Sequence, residues 1–108
     1  MVVCIPLAPD GSIDPRWGRA QRMAVAELAS GLVTGWTEFE VGWDSLHDEG
    51  TEGAHHARIA RFLKDHSVEA VVAGHMGPPM VHMLEKMGVK VTLDATGSAR
   101  VAALRALG

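Results

Sequence analysis

A buried strand that ends in a tight turn and leads directly into a helix constrains this chain more than any other feature. Residues 71–73 (Val-Val-Ala) close an apolar run, residues 74–77 (Gly-His-Met-Gly) form the turn, and Pro78 and Pro79 open the helix. Proline suits the first turn of a helix, where N–H groups have no intrahelical partner. Ligands of open α/β sheets bind outside the carboxyl ends of the strands, where such junctions lie. The junction therefore favours an α/β sheet with a ligand-binding edge near His75.

Apolar periodicity extends this junction into a complete α/β arrangement. Apolar and β-branched runs predict five strands, at residues 2–7, 23–28, 33–41, 68–73 and 89–93. Apolar residues at helical spacing predict three helices, at residues 54–66, 78–86 and 99–107. Ser30 and Gly31 indicate a tight hairpin between the second and third strands. The resulting β-β-β-α-β-α-β-α order predicts a five-stranded mixed sheet flanked by helices.

Length, charge and cysteine content exclude several classes of protein. A chain of 108 residues is expected to form one domain, spanning residues 1–108. Its formal net charge of −3 argues against bulk electrostatic binding to nucleic acid. We expect neither a signal peptide nor a membrane span, which needs roughly 18 consecutive apolar residues. The one cysteine cannot form an internal disulfide, so we expect a protein of the reducing cytoplasm.

The direction of the strands places most histidines at one edge of the sheet. If the first strand points up, the third, fourth and fifth also point up, and the second points down. The upper edge then collects the loops at residues 8–21 and 42–53, the start of the first helix, and the turns at residues 74–79 and 94–97. Five of the six histidines fall at or near this edge: His47, His55, His56, His75 and His82. His66 belongs to the opposite end of the sheet.

These imidazoles are candidate ligands for a soft or borderline metal ion. His75 lies on the turn itself, whereas His82 lies on the following helix, off its stripe of methionines. His55 and His56 are about 100° apart on a helix, so at most one of them faces the edge squarely. Cys4 is a further candidate if its thiol reaches the edge, and a buried core position is the alternative interpretation.

Cationic and backbone groups at the same edge favour an anionic ligand. Arg16 and Arg19 lie in the first loop, on either side of a Trp-Gly pair. The helix N-termini near residues 53, 77 and 97 add amide groups and the positive ends of helix dipoles. We therefore predict an anionic ligand, one that can contain a metal. The candidate contacts to it are Arg16, Trp17, Gly18, Arg19, Gly53, Gly77 and Thr96.

The same segments resemble a known family. Residues 14–20 (Asp-Pro-Arg-Trp-Gly-Arg-Ala) resemble the "RFGRA" signature that follows the first strand in the dinitrogenase iron–molybdenum cofactor biosynthesis family. Residues 53–56 (Gly-Ala-His-His) stand where that family has a glycine-rich helix start, and residues 73–78 resemble its "GxxGP" turn. Residues 84–91 resemble its "LkeaGIkv" segment, and residues 95–97 its last turn. The chain departs from the family in Trp17, where Phe is usual, and in its larger number of histidines.

This resemblance to the family of NifX, NafY and the C-terminal part of NifB implies a ribonuclease H-like α/β fold. It also implies that the protein binds or carries a metal–sulfur cluster, or its precursor, without catalysing a reaction. The implied cargo is an Fe–S, Fe/Mo or Cu/Mo cluster, or a single soft or borderline metal. Its partners are then donor and acceptor proteins of cluster assembly, with the chain as a monomer or homodimer. On this hypothesis the metal ligands come from His75, His56, His55, His82 and Cys4.

Motifs for catalysis are missing from the sequence. Two-metal nuclease chemistry needs converging carboxylates, but the first strand has none, and Asp10, Asp14 and Asp94 are loop residues without a shared motif. The chain has neither a Gly-x-Ser-x-Gly nor a Gly-x-Gly-x-x-Gly sequence. We therefore predict a metal-binding carrier that is not an enzyme. The alternative is a protein-interaction or regulatory module of the same fold without a metal.

Overall fold

Five strands form a mixed sheet in the computed structural model, which describes residues 1–46 and 50–108. They are β1 (Val2–Leu7), β2 (Arg22–Ala29), β3 (Leu32–Glu40), β4 (Ala70–Val72) and β5 (Lys90–Thr92). The spatial order is β3-β2-β1-β4-β5, with β1 in the centre. β2 runs antiparallel to both β1 and β3, while β1, β4 and β5 are parallel. The predicted five-stranded mixed sheet is confirmed, with β4 and β5 shorter than the apolar runs that predict them.

The hairpin between β2 and β3 follows directly from its two turn residues. Ser30 and Gly31 have φ values of 54° and 75°, both in the left-handed region. Two consecutive residues with positive φ are what a type I′ turn requires, and its twist matches that of the flanking strands. This turn makes β3 an edge strand that pairs only with β2 in the described sheet. The predicted hairpin is therefore confirmed.

Helices connect and cover the strands. The described ones are α1 (Trp43–Leu46), α2 (Glu52–Asp65), α3 (Pro78–Lys86) and α4 (Ala99–Ala102), with 3-10 segments at Trp17–Arg19 and Ala103–Leu107. α3 begins and ends where the sequence predicts, but the last predicted helix, residues 99–107, changes to 3-10 geometry after Ala102. None of the helices in the described residues is both long and apolar enough to cross a bilayer.

Two short elements lie in segments that the sequence pattern predicts to be loops. They are the 3-10 turn at Trp17–Arg19 and the four-residue helix α1. Elements of three or four residues are too short to show helical periodicity, so the pattern could not reveal them. Both nevertheless carry a tryptophan into the core, since Trp17 and Trp43 are each only 2% exposed.

The two faces of the sheet are packed with different kinds of residues, because alternate positions of a strand point to opposite faces. α2 and α3 cover one face, here called the large-residue face, and residues 99–107 cover the other, the alanine face. The large-residue face buries Trp17, Met23, Trp43, Ile59, Leu63, Met76, Met80 and Leu84. The alanine face buries Ala24, Ala26, Ala70, Ala95, Ala99, Ala102, Ala103 and Ala106, together with Val3, Ile5 and Leu28.

Candidate functional site

A cleft of about 310 Å³ opens at the carboxyl edge of β1 and β4. Three segments enclose it: residues 15–19, here called the arm, the first turn of α2, and the turn that leads into α3. The lining residues are Pro15, Arg16, Trp17, Gly18, Arg19, Glu52, His55, His56, His75, Met76, Gly77, Pro79 and Met80. The cleft, here called the Trp17 cleft, therefore brings together most of the residues that the sequence singles out.

The arm is held in place by a buried carboxylate. Asp14 is 5% exposed, and its Oδ1 accepts hydrogen bonds from the backbone N–H of Arg16 at 2.9 Å and from Arg16 Nε at 3.2 Å. Arg16 Nη2 donates to Asp14 Oδ2 at 3.3 Å. The side-chain hydrogen bonds to Asp14, and the charge of Asp14, raise the pKa of Arg16 above its ordinary value, so the guanidinium stays charged. A parallel backbone bridge between Arg16 and His75 ties the arm to the turn before α3.

Trp17 forms an inner wall of the cleft. Its ring packs edge-on against that of Trp43, with ring centroids 5.9 Å apart. The indole Nε1 of Trp17 is buried and has no hydrogen-bond partner among the described residues. Buried polar groups in native proteins nearly always have a partner, so this unpaired donor needs an explanation.

The cleft contains three imidazoles in different environments. His55 is 3% exposed, and its Nε2 lies 2.7 Å from the carbonyl oxygen of Gly18. Its Nδ1 lies 2.8 Å from Arg58 Nη1. The side chain of His56 is 24% exposed, with Nε2 3.8 Å from Glu52 Oε1, and His75 is exposed on the turn. Histidine spacing alone could not show which of the adjacent pair turns inward.

Other residues predicted at the edge do not line the cleft. Cys4 is fully buried on the large-residue face, where burial raises the pKa of its thiol far above the usual range. His82 is exposed on α3, and Gly53 is exposed in the first turn of α2. Thr96 lines a separate pocket of about 450 Å³ that shares Pro15 and His75 with the Trp17 cleft. His47 lies outside the described residues.

The N-terminus of α3 offers fewer backbone N–H donors than its sequence position predicts. Pro78 and Pro79 occupy its first two positions and carry no N–H group. The N–H of Met80 donates to the carbonyl oxygen of Gly77 at 3.1 Å, as does that of Val81. The helix therefore contributes the positive end of its dipole to the cleft, but little amide hydrogen bonding.

Several contributors to the site have no strong signal in the sequence. Glu52 and Met80 line the cleft, and Arg58 reaches it through His55. Asp14 could have been recognised, because Asp often bonds the backbone two residues ahead. No group of three or more His, Cys, Asp or Glu side chains is placed to hold a metal ion in residues 1–46 and 50–108.

Solved structures share this fold at low sequence identity. The crystal structure of PH0822 is 20% identical, covers 99% of this chain and 89% of its own, and has a TM-score of 0.74. The apo form of the orange protein from Desulfovibrio gigas is 23% identical, with 98% and 86% coverage and a TM-score of 0.74. A putative NifB protein from Thermotoga is also 23% identical, with 94% and 82% coverage and a TM-score of 0.67.

The family assignment comes from the sequence of nearly the whole chain. No curated protein is similar enough in sequence to count as a relative. A family described as "Dinitrogenase iron-molybdenum cofactor", in contrast, matches residues 1–107. The match spans both the arm and the turn into α3, the two segments that form the Trp17 cleft together with α2. This chain therefore belongs to the dinitrogenase iron–molybdenum cofactor family.

Proposed function

We propose that this protein binds and carries an anionic metal–sulfur cluster, or a precursor of one, in the Trp17 cleft and does not catalyse a reaction. The cargo is of the Fe–S, Fe/Mo or Cu/Mo type. The observation that carries the proposal is the charge of the cleft. Arg16 and Arg19 place two guanidinium groups on its lining beside the carboxylate of Glu52, and the side chain of Arg16 remains 58% exposed although Asp14 pairs with it. Such local fields attract ligands of opposite charge.

The donor set of the cleft fits a cluster that brings its own sulfides. A bare zinc ion needs three or four protein ligands, whereas the cleft has two imidazoles, His56 and His75, on its open side. Few protein ligands are needed when sulfides complete the coordination of the metals. Met76 and Met80 add apolar, polarisable surface.

The comparisons support this proposal in two ways. The description of the family names the iron–molybdenum cofactor of dinitrogenase, and this cofactor is itself a metal–sulfur cluster. The orange protein neighbour is known in an apo form, a form that lacks a group the protein binds. A cleft of about 310 Å³ lies at the lower end of small-ligand pockets, which are about 300–1,000 Å³. These findings favour a compact inorganic cargo.

The proposal extends to the fold type, the cellular compartment and the partners of the protein. We propose a ribonuclease H-like fold, which the strand order β3-β2-β1-β4-β5 supports. We also propose a single-domain protein of the reducing cytoplasm, where a free thiol such as that of Cys4 persists. Donor and acceptor proteins of cluster assembly are its proposed partners, and it works as a monomer or homodimer.

Anaerobic binding of tetrathiomolybdate tests the proposed function. This dianion presents four sulfides around one molybdenum, and its visible absorption reports binding. We expect the wild-type chain to retain it through desalting, with molybdenum confirmed by elemental analysis. Arg16→Gln/Arg19→Gln should weaken binding at least about tenfold, equivalent to about 1.4 kcal/mol. His56→Ala/His75→Ala should also weaken it.

A matched control separates the cleft from the overall charge. Arg61→Gln/Arg105→Gln also removes two positive charges, but from residues that do not line the cleft. We expect this variant to bind tetrathiomolybdate within about twofold of wild type, a difference of about 0.4 kcal/mol. Absence of binding to the wild type contradicts the proposal. Equal losses in the two arginine pairs, or unchanged binding in His56→Ala/His75→Ala, also contradict it.

The alternative function, a protein-interaction or regulatory module without a metal, has one feature in its favour. Val101, Leu104 and Leu107 are 69%, 36% and 47% exposed on the C-terminal helical segment. Exposed apolar side chains of this kind occur at protein contacts when they form a patch. Capture of a partner that persists under strong chelation and in Arg16→Gln/Arg19→Gln would favour this alternative over the carrier.

A further inference from the structure

The environment of His55 determines which of its ring nitrogens carries the proton. A guanidinium has donors only, so Arg58 Nη1 must donate to His55 Nδ1, 2.8 Å away. Nδ1 is then unprotonated and the proton of the neutral ring resides on Nε2. Nε2 donates it to the carbonyl oxygen of Gly18 at 2.7 Å. Both ring nitrogens are therefore engaged inside the protein.

Three hydrogen bonds connect three segments around the cleft, two of them made by His55 and one by Arg58. Gly18 is the middle residue of the 3-10 turn Trp17–Arg19 in the arm, and His55 lies in the first turn of α2. Arg58 lies one turn further along α2, and its Nη1 also donates to the carbonyl oxygen of Leu46 in α1 at 3.5 Å. The imidazole of His55 thus joins the arm to α2, and Arg58 joins α2 to α1.

Packing restrains the same ring. Trp43 contacts it edge-on, with ring centroids 6.4 Å apart, and contacts Trp17 edge-on at 5.9 Å. Trp43 therefore supports both the hydrogen bond from His55 Nε2 to Gly18, here called the latch, and the cleft wall formed by Trp17. Such support limits the positions that His55 can occupy, because buried side chains in a close-packed interior have few alternative rotamers. His56, the next residue, has a partly exposed side chain and lacks this support in its described contacts.

We propose that His55 is a positioning residue of the Trp17 cleft and does not bind the metal. Its Nε2–H bond to Gly18 holds the arm against α2 and sets where Trp17 and Arg19 stand relative to His56 and His75. Binding a metal through either nitrogen of His55 would break a bond that shapes the cleft. The statement that His55 does not bind the metal rests on the proposed carrier function. The Nε2–H tautomer and the hydrogen bond to Gly18 do not depend on that function.

Two substitutions separate positioning from ligation. The amide of His55→Gln supplies one donor for Gly18 and one acceptor for Arg58, but it is a poor ligand for a soft metal. We expect His55→Gln to bind tetrathiomolybdate within about threefold of wild type, and His55→Ala to bind it at least about tenfold more weakly. His82→Ala, on the exposed side of α3, is the matched control and should bind like wild type. Equal losses in His55→Gln and His55→Ala, with both variants folded, overturn the proposal.

A measurement without cargo keeps the proposal testable if His55→Ala fails to fold or if the wild type binds no tetrathiomolybdate. In ¹⁵N-labelled wild-type protein, long-range ¹H–¹⁵N spectra should show His55 as the Nε2–H tautomer. Amide hydrogen exchange of Gly18 and Arg19 should be at least about tenfold slower than in a His55→Ala variant that folds. A Nδ1–H tautomer overturns the latch, as does loss of the Nε2 proton when tetrathiomolybdate binds. Failure of binding with the Nε2–H tautomer present contradicts the proposed function alone.

Discussion

The two faces of the sheet differ in the size of the residues that they bury. Eight alanines pack on the alanine face of the described chain, where residues 99–107 lie close against the strands. The large-residue face buries tryptophans, methionines and branched aliphatics beneath α2 and α3. Small side chains let a helix approach a sheet closely, whereas large ones hold it further away. The Trp17 cleft lies on the large-residue side, where the arm, α2 and α3 do not close completely at the carboxyl edge.

This difference indicates that the alanine face serves stability, whereas the large-residue face serves both stability and the cleft. The alanine face binds the C-terminal segment to the strands, and none of its alanines lines the Trp17 cleft. Core residues Trp17, Met76 and Met80 of the other face are also cleft residues. A change on the alanine face should therefore affect stability alone, whereas a change on the large-residue face should affect stability and binding together.

Removing Trp43 should have the largest effect. Trp43→Ala deletes a side chain that is 2% exposed and contacts Trp17, His55 and Phe62 edge-on. We expect the free energy of unfolding to fall by about 3–5 kcal/mol, the range for truncating a buried tryptophan, as measured by urea denaturation. Tetrathiomolybdate binding should fall as well, because the wall formed by Trp17 loses its support. Trp43→Phe should retain most of both properties, and a binding loss in Trp43→Phe equal to that in Trp43→Ala would contradict this explanation.

Enlarging a residue on the alanine face should lower stability without affecting the cleft. Ala103 is fully buried, and Ala103→Leu adds three carbon atoms to its side chain. Overpacking of this kind costs about 1–3 kcal/mol, which denaturation will measure, while the affinity for tetrathiomolybdate should remain that of wild type. Ala57→Leu, at an exposed position of α2, is the matched control and should change stability by less than about 0.5 kcal/mol. Weaker binding in folded Ala103→Leu would show that the two faces are coupled.

The thiol of Cys4 provides a pH-dependent test of burial on the large-residue face. Burial raises the pKa of this thiol in the folded protein, whereas the unfolded thiol titrates near about 8.5. The resulting stability is fully present below that pH and is lost as the pH rises, because the unfolded chain then releases a proton that the folded chain keeps. We expect a loss of about 1.4 kcal/mol per pH unit above the unfolded pKa. Cys4→Ala should lack this slope, and equal slopes in the two proteins between pH 8 and 10 would place the thiol in contact with solvent.

The smallest predicted effect concerns the start of α2. Thr51 caps this helix, since its hydroxyl accepts a hydrogen bond from the N–H of Ala54 at 3.0 Å. Thr51→Ala should cost about 1 kcal/mol and should speed amide exchange in the first turn of α2, with exchange in α4 unchanged. Thr51→Ser keeps the acceptor and should behave like wild type. Faster exchange in both helices would indicate one cooperative unit instead of two independently supported faces.

Much of the fold could be predicted from local pattern. Strands β1 to β3, the Ser30–Gly31 turn and helix α3 each have a signal in consecutive residues, such as β-branched runs or proline at a helix start. The 3-10 segment Trp17–Arg19 and α1 have none, because they are too short for periodicity. They form because tertiary packing buries Trp17 and Trp43 against each other.

The candidate site was predicted less completely. Chain direction alone places the arm, His56 and His75 at one edge, because parallel strands end at the same side of a sheet. Direction could not show that His55 turns inward to Gly18, or that Thr96 lines a separate pocket. These outcomes depend on helix rotation and on contacts between residues far apart in sequence.

The sequence by itself determined the α/β pattern, the order of its elements, and a ligand edge rich in histidine and arginine, since all three depend on local periodicity and chain direction. Only the tertiary structure decided which of these groups face one cleft. It buries Cys4 in the core, engages His55 between Gly18 and Arg58, and leaves Trp17 Nε1 without a partner in the described chain. The physical reason is that side-chain packing and hydrogen bonding join residues far apart in sequence, as with Gly18 and His55, which are 37 positions apart.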